Sequence, residues 1–223
     1  MEGRLALKKQ RAIIAVASAC ALASACGKSD VNSKSSIGSS SNAMLTSQPS
    51  QASSGPFGIS MGAPLSSVGP SEATDKGGTY AVKSPPNPSD DFPQVAVEAF
   101  PSTGICKIYG VGEKISGDNL GDQLRGRMSA VAEALQIKYG SSRKIDECAN
   151  TCESQFWTMS IEQGERRYGY EWGHPKTMPG SLIGEIKITT TVELLDPRML
   201  ILYQSANKVG CAKAENAAKA GSL

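Results

Sequence analysis

The sequence predicts an α+β fold: an antiparallel sheet packed by one long helix and one or two short helices. Three observations predict it. Residues 186–194 alternate, with Ile186, Ile188, Thr190, Val192 and Leu194 on one side and Lys187, Thr189, Thr191 and Glu193 on the other. That is the period-2 pattern of a strand with one buried and one wet face. Residues 118–139 carry Leu120, Leu124, Met128, Val131, Leu135 and Tyr139 at steps of three and four, a single apolar helical stripe. Strands and helices do not alternate regularly along the chain, which argues against a doubly wound parallel sheet.

The elements follow in order. Residues 58–69 read as a short strand or turn and one helical turn, and Thr79 to Lys83 as a short strand. Residues 84–93 form a loop, because Pro85, Pro86 and Pro88 cannot sit inside a hydrogen-bonded ladder. Residues 94–100 and 105–111 read as strands joined by the turn P-S-T-G, a hairpin. Asp118 or Asn119 caps the long helix and Gly140 ends it, while Gly121 and Gly126 weaken it, so it needs packing against a sheet. Residues 152–163 suit either a strand or a helix, with Thr151 as cap and Gly164 as stop favouring the helix. Residues 166–172 are a strand. Asp196, Pro197 and Arg198 turn the chain after the alternating strand, and residues 199–204 return beside it. Ala212 to Leu223 is a polar C-terminal tail, a frayed helix or a disordered segment.

Composition bounds the function. The chain has 223 residues, 23 Lys+Arg, 21 Asp+Glu, one His and six Cys. A formal charge of +2 excludes a strongly basic nucleic-acid binder. A single His excludes sites built on several histidines, and with them most catalytic zinc centres. No motif calls for a cofactor.

The N-terminus carries an address. Arg4, Lys8, Lys9 and Arg11 precede a 14-residue apolar run ending in small residues, the form of a secretory signal peptide over residues 1–25. The run is short for a bilayer span, which needs ~20 residues. Its end, L-A-S-A-C-G at 22–27, resembles the processing site of bacterial lipoproteins, with Leu22 one place earlier than that family's usual Leu. The resemblance implies cleavage before Cys26 and acylation of that Cys, while cleavage after Ala25 by an ordinary signal peptidase stands as the alternative. Cysteine parity favours lipidation: it leaves Cys106, Cys148, Cys152 and Cys211, an even set for an oxidising compartment. Gly27 in place of Asp resembles lipoproteins sorted to the outer membrane, which places the protein there, facing the periplasm. Without residues 1–25 the chain has 19 Lys+Arg against 20 Asp+Glu, so nothing in its charge attracts nucleic acid.

Residues 26–55 follow as a lipidated Cys and a Ser-rich tether, with eleven Ser between 27 and 55. Such a composition buries too little to offset its ordering entropy, and as a coil its mean reach is ~30 Å. Residues 56–211 form a single α+β domain.

Short motifs through that domain resemble a family of small exported bacterial proteins of unknown function: F-G-I-S-M-G (57–62), Y-A-V-K-S-P-P-N-P (80–88), G-I-C-K-I-Y-G-V-G (104–112), K-Y-G (138–140), Trp172 and Tyr203, Asn207 and Cys211. In that family the thiols matching Cys106 and Cys211 recur. The resemblance therefore implies the disulfide Cys106–Cys211, and leaves Cys148–Cys152 as an added second bridge. A zinc or redox site at C-x3-C is the rival, without a nearby His or the C-x-x-C spacing.

Candidate chemistry is sparse. G-I-S-M-G at 58–62 matches G-x-S-x-G, which would make Ser60 a nucleophile with His174 as base; a plain turn explains it as well. Gly110-x-Gly112 lacks the third Gly of a dinucleotide loop. Arg166–Arg167 could pair an anion, and an exposed hairpin start explains them as well; Asp90–Asp91 and Glu162, Glu165 are carboxylate pairs whose adjacency in sequence assigns them no role. Tyr168, Tyr170, Trp172 and His174 alternate on one side of a strand. They form either an exposed binding face for a partner or part of the core. The expected function is a lipid-anchored envelope protein, a protein-interaction module attached to the membrane and meeting an envelope partner. The alternative is a small envelope hydrolase using Ser60 and His174.

Overall fold

The computed structural model describes residues 55–150, 153–175 and 181–220. The fold is α+β. After short 3-10 turns at Pro56–Gly58 and Leu65–Val68 come β1 (Ser71–Ala73), β2 (Thr79–Val82), β3 (Gln94–Phe100) and β4 (Gly104–Val111). Then come α1 (Asp122–Tyr139), β5 (Arg143–Cys148), α2 (Trp157–Glu162), β6 (Arg166–Trp172), β7 (Ile183–Glu193), β8 (Asp196–Ser205) and α3 (Lys208–Ala220). The eight strands make one sheet in the order β1-β2-β3-β4-β8-β7-β6-β5, and every pair is antiparallel.

Register sets the core. Val97, Ile108, Tyr203, Ile186 and Trp172 stand opposite one another across five neighbouring strands and all are buried. Against this face α1 lays Leu124, Met128, Ala132 and Tyr139. The stripe begins at Leu124, because the helix starts at Asp122 rather than residue 118. Gly121 adopts φ 70°, a left-handed turn, and a Cβ there would run into the Trp157 ring. Leu120 falls before the helix and is exposed. Asp118 still caps: its carboxylate accepts the N–H groups of Gln123 at 3.3 Å and Leu124 at 2.9 Å. Gly140 ends the helix as expected, its N–H donating to the Gln136 carbonyl.

The hairpin turn lies earlier than the proline suggested. Residues 196–198 belong to β8, and the chain reverses at Leu194 and Leu195, with φ 56° and 64°. Two-residue turns with positive φ match the twist of paired strands. Pro197 is tolerated opposite Val192 because its carbonyl accepts the Ile115 N–H at 2.9 Å. The nitrogen and carbonyl of one strand residue point to the same side, so the absent N–H would have pointed away from β7.

Two edge strands have no counterpart in the sequence reading. β5 carries Ile145 as its one buried side chain among charges, and charges are what keep an edge from pairing with other chains. β1 has three residues. The segment after residue 207 is helical as α3, whose buried residues are Cys211 and Ala214. The lipidation site Cys26, the tether, Thr151 and Cys152 lie outside the described residues, and with Cys152 the expected Cys148–Cys152 bridge. No helix of the described residues is long and apolar enough to cross a membrane.

Candidate functional site: the outer face of the sheet

The sheet face opposite α1 is shaped by a β-bulge. Lys107 pairs with Glu98 and Ile105 with Ala99, leaving Cys106 as the extra residue. A bulge turns two successive side chains to one side. Ile105 thus stays in the main core while Cys106 joins Phe100, Cys211 and Ala214 in a separate cluster on the outer face. There Cys106 and Cys211, 105 positions apart, form a disulfide that fixes α3 across that face.

α3 covers only part of the face. Between its last turns (Glu215, Ala218, Lys219) and the β1–β2 turn (Lys76, Gly77) lies a groove of about 690 Å³. Its floor is apolar: Ala96 from β3, Val111 from β4, and Leu200 and Leu202 from β8. Register brings them together, since Ala96, Tyr109, Leu202 and Lys187 form one row and Val111, Leu200 and Thr189 the next.

The wall is polar and paired. Glu98 is 7% exposed, with the Lys107 ammonium 2.9 Å from each carboxylate oxygen and the Tyr109 hydroxyl donating at 3.3 Å. Lys107 also lies 3.5 Å from Glu215, which pairs with Lys219 at 2.6 Å. Burial, and then the Glu98 carboxylate, push the Tyr109 phenol well above its usual range, so it remains a hydrogen-bond donor. Lys187 pairs with Glu185 at 2.6 Å. Lys76 has no ion-pair partner among the described residues. Wall and floor together can hold an apolar segment and hydrogen-bond its polar edge.

The residues singled out by the sequence lie elsewhere. Tyr168, Tyr170 and Trp172 are buried on the opposite side of the sheet, so their row is core and not an open binding face. The Tyr168 ring meets Trp157 edge-on at 5.4 Å and Tyr170 at 6.3 Å, and the Trp172 indole N–H donates to the Gly140 carbonyl at 2.8 Å. Burial, and then Tyr170, raise the Tyr168 phenol. His174 lies past the end of β6 and is exposed. Ser60 is exposed as well, and among the described residues no hydrogen bond joins it to His174. The turn bearing Ser60 is clamped to the start of β4, with Gly62 N–H donating to the Ile105 carbonyl at 2.8 Å and Ile105 N–H to the Ala63 carbonyl at 2.9 Å. Arg166 and Arg167 pair with Asp146 at 2.8 Å and Glu147 at 3.1 Å. Among the described residues no three His, Cys, Asp or Glu side chains cluster so as to hold a metal.

Sequence reasoning missed the groove. The usable signal is that residues 94–100, 105–111 and 199–204 carry apolar side chains at both parities, which marks strands covered on two faces. Comparison with protein-family models, with curated proteins and with solved structures finds no match for the chain.

Proposed function

We propose that this chain is a lipid-anchored protein of the cell envelope, held at Cys26 on the outer membrane facing the periplasm, and that it works as a protein-interaction module. The observation that carries the reading is the half-covered outer sheet face. There α3 leaves Val111, Leu200 and Leu202 in a groove whose rim alternates cations and anions. An apolar centre within a paired polar rim is the anatomy of protein interfaces. The resemblance to small exported proteins and the 30-residue stretch from Cys26 to residue 55 support a domain that meets partners near a membrane.

The test is cross-linking of the anchored protein in intact cells, followed by mass spectrometry of what it captures. A charge at the groove floor, Leu200→Arg, is expected to abolish capture of one reproducible envelope protein in a chain that still melts cooperatively. Unchanged capture by that folded variant would overturn the groove as the binding face. Cys26→Ser is expected to move the protein from the membrane fraction to the soluble fraction, and retention in the membrane would overturn the anchor.

A further inference from the structure

The β7–β8 turn is built from two residues that suit it badly. Leu194 and Leu195 both adopt positive φ, where asparagine and glycine are favoured and a Cβ is penalised. Both also carry large apolar side chains into solvent, Leu194 at 82% exposure and Leu195 at 43%. Neither stability nor solubility accounts for that pair, and backbone strain of this kind clusters where a site is used.

The surroundings hold the tip in place. The Leu194 N–H donates to the Glu162 carboxylate of α2 at 2.9 Å. Glu193, the last residue of β7, lies 2.9 Å from Lys114 and 3.6 Å from Arg198. Two leucines therefore project from a rigid base ringed by charges of both signs. Both cations are committed to Glu193, which is unlike the unpaired basic clusters that seek anionic lipid headgroups. With Asp196 opposite Glu193, the ring holds three carboxylates against two cations. A rigid apolar knob inside such a ring fits a pocket on a folded protein rather than an anionic lipid surface. The tip lies five residues along β7 from Thr189 of the groove, about 16 Å at ~3.3 Å per residue, within the span of one ordinary interface.

We propose that the Leu194–Leu195 tip is the anchor by which this module seats in an apolar pocket of its envelope partner, the partner's polar rim meeting Glu162, Glu193, Lys114 and Arg198. This rests on the interaction-module reading above and names its principal contact.

The experiment places a photoreactive amino acid in the full chain in intact cells at position 194, at Lys76 beside the groove, and at Ile137, which is 90% exposed on α1. The expected result is one protein cross-linked from positions 194 and 76 and absent from 137. Its capture from position 76 falls at least tenfold when the tip is changed to Leu194→Asn with Leu195→Gly, a variant whose melting midpoint does not fall. Capture from position 76 that this variant leaves unchanged overturns the tip and leaves the module standing. Equal yields at 194 and 137 overturn it as nonspecific contact. Leucine-dependent sedimentation of the chain with phosphatidylethanolamine–phosphatidylglycerol vesicles, with no protein captured at 194, makes the tip a membrane element and overturns it too. Failure of every position to capture protein overturns the tip and the module together.

Discussion

Leu194 and Leu195 hold the tightest turn of the main hairpin with a backbone that penalises them. Each L-residue in the left-handed region costs roughly 1–2 kcal/mol. Replacing them by Asn and Gly is therefore expected to stabilise the fold by about 1 kcal/mol after the lost glycine entropy, a rise of ~2–4 °C in melting midpoint for a domain of this size. Thermal melts of the two chains check it. Trp172 sits at the other extreme, 1% exposed with its indole N–H on the Gly140 carbonyl. Trp172→Ala is expected to cost ~3–5 kcal/mol, measured by denaturant unfolding, and so to act through stability and not through a binding face. The alternation of Tyr168, Tyr170 and Trp172 was legible in the sequence, because a strand puts every second residue on one side. Which side α1 and α2 would cover was not, because alternation carries no information about what packs on a face.

α3 depends on one covalent bond and a few charges. It buries Cys211 and Ala214, little apolar surface for 13 residues. Opening the disulfide with Cys106→Ser and Cys211→Ser removes the constraint on a loop of about a hundred residues, worth up to ~4–5 kcal/mol in the chain-entropy model. The expected signature is loss of amide protection over Lys208–Ala220 before the sheet unfolds, read by hydrogen exchange. Acid should loosen α3 without that mutation. Hydrogen bonding from Lys219 and the charge of Lys107 hold Glu215 below its ordinary 4.5. At Glu185 burial works the other way, but hydrogen bonds from Lys187 and Lys208 win and also lower it. A depressed folded-state value gives stability that is fully present above the unfolded value and lost as pH falls through the folded one. Protection factors of α3 are thus expected to decline as pH drops below 4.5, with the disulfide still tethering it, in an NMR exchange series. The pairing that holds α3 followed from resemblance and not from spacing, since four thiols allow three pairings. The bulge that aims Cys106 outward depends on register between β3 and β4, which local pattern does not encode.

At the scale of the molecule, one sheet is closed on the α1 side by a continuous core and left half open on the α3 side. β6, β7 and α1 were legible because each has a clean period of two or near 3.6, and β3, β4 and β8 because short apolar runs stand between turn signals. β5 escaped because R-K-I-D-E-C offers a single apolar residue, and the Leu194–Leu195 turn escaped because Pro197 is the stronger local signal for a reversal. The groove is a product of topology: β3, β4, β8 and β7 are neighbours in space but scattered from residue 94 to 205. It shares the β7–β8 hairpin with the leucine tip, and the proposed docking requires one partner to reach both. Amide hydrogen exchange of the chain, free and bound to the protein it captures, tests that claim most directly. Slowed exchange is expected at residues 193–196, at the 76–78 turn and in the last turn of α3. Slowing confined to the outward face of α1 or to β5, with those three segments unchanged, would contradict it.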